Sequence, residues 1–131
     1  MNKPKPFTDI RIISVDADRT KRSPSGPRFR LMYLSLSEMP PHRWCQMFDE
    51  ERQFQRQPLW CRAWIEGASI VADCVPEELE QYHFEDLSQD VATSNTKFGN
   101  YLAKEGRAAE AARQAEQREQ IRRRMNSDWN R

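Results

Sequence analysis

Apolar and polar positions change period several times along the chain, and each change marks an element. Asp9 to Ala17 (DIRIISVDA) is dominated by isoleucine and valine, interrupted by polar residues at strand-like spacing, and predicts a strand. Arg19 to Pro27 follows with charge, two serines, two prolines and Gly26, the composition of a loop. Arg28 to Ser37 (RFRLMYLSLS) predicts a second strand, with Phe29, Leu31 and Tyr33 on one face and Met32, Leu34 and Leu36 on the other. A strand apolar on both faces is unusual where one side meets water. Pro40 and Pro41 then suit the entry to a helix, because the N–H that proline lacks has no partner in a first turn. A helix from about Pro41 to Phe54 would place Trp44, Met47 and Phe48 along one side.

Leu59 to Val75 predicts a β-hairpin turning at Gly67-Ala68. With the turn centred there, Ile65 faces Ile70, Trp64 faces Val71, Ala63 faces Ala72 and Arg62 faces Asp73. One step further, Cys61 faces Cys74 and Trp60 faces Val75. The pairs match aromatic with β-branched, small with small and opposite charges, and a one-residue slip would lose every match. Pro76-Glu77-Glu78 looks like a helix entry with acids at the positive end of the helix dipole. Tyr82-His83-Phe84 fits either a helical turn or a short extended piece. From Glu85, Leu87, Val91, Phe98 and Leu102 recur at helical spacing. Gly106 offers a break or kink. Arg107 to Met125 is rich in strong helix formers yet lacks an apolar stripe beyond alanines, Ile121 and Met125.

The order β-β-α-β-β-α predicts an α+β domain: a four-stranded, mostly antiparallel sheet with two helices on one face, followed by a long charged C-terminal helix. The expected organisation is a flexible N-terminal arm at 1–8, the α+β domain at 9–105 and a charged helical tail at 106–131.

Composition sharpens this division. Of the 13 aromatic residues, all but Trp129 fall between Phe7 and Tyr101, so the first hundred residues hold the core. Lys and Arg number 21 against 20 Asp and Glu, a net charge of +1 that supplies no global field toward nucleic acid or an anionic membrane. No apolar run approaches the roughly 18 residues of a membrane span, and the Lys/Pro-rich start does not resemble a signal peptide. A soluble, cytoplasmic protein with no membrane association is expected, its cysteines free thiols.

Candidate chemistry is sparse. Cys45, Cys61 and Cys74 have no CxxC spacing, and His42 is the one imidazole near a cysteine in sequence. A structural zinc needs about four ligands, so no metal and no cofactor is expected, and Cys61 and Cys74 are better read as small hydrophobes that, with Ala63 and Ala72, let a helix sit close. No nucleophile, base and orienting group share a motif, no glycine-rich phosphate loop is present, and the acidic pairs fall on solvated helix faces. An enzyme is not expected.

Two binding surfaces remain. In the hairpin register Trp60, Trp64, Val71 and Val75 share the side opposite the Cys/Ala patch, and two helices can cover one face only. The other face then exposes tryptophans, as interaction surfaces do, unless the arm, the 19–27 loop or the tail folds over it. A non-enzymatic docking or assembly module is therefore expected, its partner another protein or a second copy of the chain. The alternative is a small nucleic-acid-binding accessory protein using the tail, where Arg118, Arg122, Arg123 and Arg124 could meet phosphates and Trp129 could stack on a base. Residues 103–131 carry eight basic and five acidic groups, but the acids are interleaved with the bases and Glu119 and Arg123 are spaced for an ion pair.

Overall fold

The computed structural model describes residues 7–129, with side chains from 7 to 127; of the expected arm, residues 1–6 lie outside them, as do the side chain of Trp129 and all of Arg131. Two long strands come first, β1 (Ile12–Arg22) and β2 (Arg30–Leu36), followed by helix α1 (His42–Arg52). The hairpin β3 (Arg62–Glu66) and β4 (Ser69–Cys74) comes next. One helical turn, α2 (Pro76–Glu78), passes through a π-helical turn at Leu79–His83 into α3 (Phe84–Trp129). By its contacts the chain divides into two units, one ending at Phe98 and one starting at Gly99.

The four strands form one antiparallel sheet in the order β1-β2-β4-β3. The expected α+β class, with its four-stranded antiparallel sheet and long C-terminal helix, is what the chain adopts. In the hairpin, Arg62 faces Asp73, Ala63 faces Ala72, Trp64 faces Val71 and Ile65 faces Ile70, the register that side-chain matching demands. Gly67 takes a φ of +58°, a left-handed conformation that glycine adopts without steric penalty. β4 lies between β2 and β3 and is buried along its whole length. Its small and β-branched residues suit a strand with neighbours on both edges and both faces.

One face of the sheet carries Leu34, Leu36, Ile70, Ala72 and Cys74, all buried, and receives Trp44, Met47 and Phe48 of α1 with Leu87 and Val91 of α3. The rings of Trp44 and Phe48, one helical turn apart, stack 5.7 Å between centroids. A single amide closes this layer. Asn95 Oδ1 accepts from the Ile10 backbone N–H at 3.0 Å and from Trp44 Nε1 at 2.9 Å, while Asn95 Nδ2 donates to the Ile10 carbonyl at 2.8 Å. The segment before β1 is thereby bonded to α3 as though to a strand. All the polar atoms concerned are buried, so each bond also removes a desolvation penalty.

Three local features differ from the sequence expectation. β1 continues through Arg22, so the loop is shorter than 19–27. The extension is irregular: Asp16 faces Tyr33 and Lys21 faces Leu31, which leaves residues 17–20 against Met32 alone, a bulge that re-aims the strand. Residues 79–83 resolve as a π-helical turn, with the Phe84 amide donating to the Leu79 carbonyl and both Leu79 and His83 turned inward. Finally, α3 runs through Gly106 without interruption. A glycine costs a helix about 1 kcal/mol, which strong helix formers on either side offset. Among the described residues no helix is long and apolar enough to cross a membrane.

Replacing Asn95 with Leu strands the Trp44 indole N–H and both polar atoms of Ile10 in the interior. The expected loss is about 3 kcal/mol in urea unfolding, with the fold retained.

Candidate functional site

The tryptophan-bearing face needs its cover identified first. Val71 is 0% and Val75 8% exposed, so neither is available at the surface. Tyr33, which flanks Val71 on β2 as Trp64 flanks it on β3, is buried too. The cover comes from the chain itself. The bulge at 17–20 carries Arg19 back across the sheet, its guanidinium 4.1 Å above the Tyr33 ring and its Nη1 donating to Ser69 Oγ at 2.9 Å. Lys21 lies 5.6 Å from the same ring. Ser23 Oγ donates to Asp73 Oδ1 at 2.6 Å, and Ser25 Oγ donates to Asp73 Oδ2. Expecting this face to be open is thus corrected for its centre: long polar side chains from the β1–β2 segment lie over it, using cation–π and hydrogen-bond contacts in place of a third apolar layer.

Exposure survives at the margin. β3 is an edge strand, and Trp64 is half-exposed on it, its Nε1 donating to Glu66 Oε1 at 3.0 Å and its ring 5.8 Å from the Arg62 guanidinium. Trp60 lies just before β3, outside the paired ladder, and its ring meets Arg52 of α1 at 4.9 Å. The connection from α1 into β3 adds Phe54, 66% exposed, and Leu59, 45% exposed. Trp60 and Trp64, with Asp49, Arg52, Gln53 and Arg62, line a concavity of about 350 Å³ between the end of α1 and this edge. Of the four expected contact residues, the structure brings the two tryptophans together here and leaves the two valines inside.

Arg52 holds this corner in place. It is 4% exposed, at the last position of α1. Its Nη1 donates to Asp86 Oδ2 at 2.7 Å and Asp90 Oδ2 at 2.9 Å, and its Nη2 donates to the Cys61 carbonyl. Arg56 completes the arrangement from outside, its Nη2 reaching Asp86 Oδ1 at 2.8 Å and Asp90 Oδ1 at 2.5 Å. Two arginines and two aspartates thus neutralise one another around Asp90, which is 0% exposed. Arg52 Nε and Trp60 Nε1 are buried without a hydrogen-bond partner among the described residues, which marks this corner as the least satisfied part of the interior.

The acids Asp86 and Asp90 flank Leu87 and Val91, one helical turn apart on α3. That spacing beside an apolar stripe, against arginines at the end of α1, is the sequence signal for this network.

Burial raises the Asp86 carboxyl, but the hydrogen bonds and charges of Arg52 and Arg56 outweigh it and hold Asp86 below the ordinary 3.8. Cys61 and Cys74, opposed on the helix side of the sheet, are free thiols and both buried. Their mutual hydrogen bond, helped by Arg52 and opposed by burial, draws Cys61 down, and the same bond together with burial pushes Cys74 up. His83 is buried 3.8 Å from Glu78, and burial lowers it from 6.5 against the pull of Glu78, whereas His42 is exposed on another element. Among the described residues no group of three or more His, Cys, Asp or Glu side chains could hold a metal ion.

In the tail, Arg122 and Arg123 both pair with Glu119, the latter at 3.3 Å, and Arg113 pairs with Glu110 at 2.5 Å. Arg118 and Arg124 are exposed. These are pairs along one helix that ordinary helix electrostatics supports.

Two titrations follow. A depressed Asp86 contributes stability that is present above the unfolded value near 3.8 and lost as pH falls through the lower folded value. Asp86→Asn should therefore flatten the acid limb of stability below about pH 4 while lowering stability at pH 7. Neutral His83 must gain a proton against burial, so stability should also decline as pH falls below about 6.5, and His83→Gln should remove that slope. Urea titrations between pH 2 and pH 8, in the range these groups span, separate the two limbs. Comparison with protein-family models, with curated proteins and with solved structures finds no match.

Proposed function

We propose that the protein is a non-enzymatic docking module that takes a protein partner along the edge of β3, with Trp64 and Trp60 as anchors. The observation that carries this reading is the coincidence of three features in one place. The edge of β3 is outside the sheet's own pairing, two partly exposed tryptophans border it, and Phe54 and Leu59 stand exposed in the segment leading to it. An unpaired edge presents a row of backbone donors and acceptors that an extended segment can complete, and the flanking aromatics supply apolar contact. Tryptophan is also the side chain most enriched among residues that dominate binding energy. β3 is short and bordered by Arg62 and Glu66, features that discourage indiscriminate edge pairing and leave room for a partner with complementary chemistry.

A buried arginine at the back of the site supports the same reading. Arg52 fixes the end of α1 against the Cys61 carbonyl, so the wall beside Trp60 is rigid before a partner arrives. Preorganisation of this kind lowers the cost of association.

Trp64→Glu places a charge at the edge of β3, beside Val71. It is expected to abolish association of the full chain with its partner, or with a second copy, while far-UV circular dichroism stays near wild type and urea unfolding shows a folded, somewhat less stable chain. Hydrogen exchange should show the β3 amides slowed in the wild-type complex and unchanged in the variant. Equal sedimentation and equal capture of partner by wild type and variant would overturn the proposal.

A further inference from the structure

The β1–β2 hairpin presents a second surface, independent of the β3 edge. From Arg19 to Arg30 the chain carries five basic residues (Arg19, Lys21, Arg22, Arg28 and Arg30) and no acidic one, although the whole protein is balanced to within one charge. The register makes the concentration sharper. Arg22 and Arg30 are direct partners across the antiparallel ladder at the mouth of the loop. Like charges directly opposite each other destabilise a strand pair, and at this pairing their Cα atoms stand only about 5 Å apart.

The nearest acid on β4, Asp73, sits in the row of Lys21 and Leu31, on the opposite face of the sheet from Arg22, Arg30 and Cys74. Asp73, which lies across β2 from this segment, accepts from Ser23 and Ser25 through both of its oxygens. Arg22 and Arg30 line a concavity of about 460 Å³ together with Ser23, Pro24, Gly26 and Pro27, a wall with no carboxylate. Glu77 and Glu78 line the neighbouring concavity with Arg28 and with Arg30, which borders both.

The loop is also prepared in shape. Ser25 N–H donates to Ser23 Oγ at 3.0 Å, Phe29 N–H donates to the Gly26 carbonyl at 3.2 Å, and Arg30 Nη1 donates to the carbonyls of Pro27 and Phe29 at 2.8 and 2.7 Å. Two prolines restrict the backbone further. The cations are therefore displayed by a pinned turn, with Arg22 and Arg28 exposed.

We propose that this hairpin is a contact for the phosphodiester backbone of a nucleic acid. Arg22 and Arg28 line two separate concavities that meet at Arg30, so the charge is spread along the end of the hairpin and suits a chain of spaced phosphates better than one isolated anion. An anionic oxygen between Arg22 and Arg30 converts their repulsion into two charge-assisted bonds. Release of counterions from the phosphates supplies the driving force.

The test uses the full chain and fluorescence anisotropy with a short labelled DNA duplex, a labelled RNA strand of matched length and a labelled polyglutamate peptide. Binding of either nucleic acid should weaken steeply with salt. Arg22→Gln combined with Arg28→Gln should reduce affinity about tenfold or more near 100 mM salt and lower the log–log salt slope by about 2. Which nucleic acid binds more tightly distinguishes a duplex from a single-strand site. Arg22→Lys with Arg28→Lys, which keeps the charge, should retain most binding and guards against a mere folding defect. A tail variant, Arg122→Gln with Arg123→Gln and Arg124→Gln, should bind like wild type. The proposal is overturned if neither nucleic acid binds at low salt or if polyglutamate binds as well as they do. It is equally overturned if the hairpin glutamine variant binds unchanged. None of these outcomes bears on docking at β3, which Trp64→Glu tests separately.

Discussion

The buried guanidinium of Arg52 joins three stretches of chain that are distant in sequence: the end of α1, the first turns of α3 and the entrance to β3. Removing such a charge from water costs several kcal/mol, and the cost is recovered only when every lone pair facing it is occupied. Asp86 and Asp90 provide two such oxygens and the Cys61 carbonyl a third, while Arg56 neutralises the second aspartate charge from the rim. The arrangement is better regarded as a device that fixes geometry than as a source of stability. An apolar core of equal volume could be as stable, but it would not specify the angle at which α1 meets the sheet edge. Leu87 and Val91 bring α3 to the sheet in a general way, and the aspartates beside them fix its position against α1.

The same economy of apolar surface governs the opposite face of the sheet. With one layer of helices committed to Leu34, Leu36, Ile70 and Ala72, the other face would ordinarily call for a third layer. A chain of this length has few apolar residues left for one. The bulge at 17–20 solves the shortage by returning Arg19 over Tyr33, its guanidinium stacked on the ring and bonded to Ser69. Covering the centre in this way leaves the aromatic residues of the β3 margin only half shielded.

These relations explain what was legible in the sequence. The β3–β4 register could be read because it is local: six residue types matched across a two-residue turn, and a slip would have spoiled all of them. The sheet class, α1 and the apolar stripe of α3 could be read for the same reason, from periodicities within single segments. The cover on Val71 could not, because it depends on a bulge whose extra residues carry no periodic signal, and on contacts between positions about 50 apart, such as Ser23 with Asp73. Strict alternation puts Val75 on an open face, but the strand has ended by then and Val75 caps the turn beginning at Pro76. Trp60 fails for a similar reason. Alternation counts it as a strand residue, whereas it precedes the ladder and answers to Arg52. Gly106 signals a break only if its neighbours are indifferent to helix, and here they favour it.

Charge obeys a parallel logic. The net charge is close to zero and supplies no global pull on a polyanion, yet the distribution matters more than the sum. In α3 beyond Phe98 the acids and bases alternate within one or two turns and pair with each other, as Glu119 does with Arg122 and Arg123, so a basic run leaves little local field. In the β1–β2 hairpin Arg19 and Lys21 are engaged over Tyr33, whereas Arg22 faces Arg30 and lines with it a concavity whose wall carries no carboxylate. Serine is neutral and donates its hydrogen bonds without changing the charge. By holding Asp73 with Ser23 and Ser25, the fold anchors the loop without bringing an acid to the Arg22–Arg30 pair.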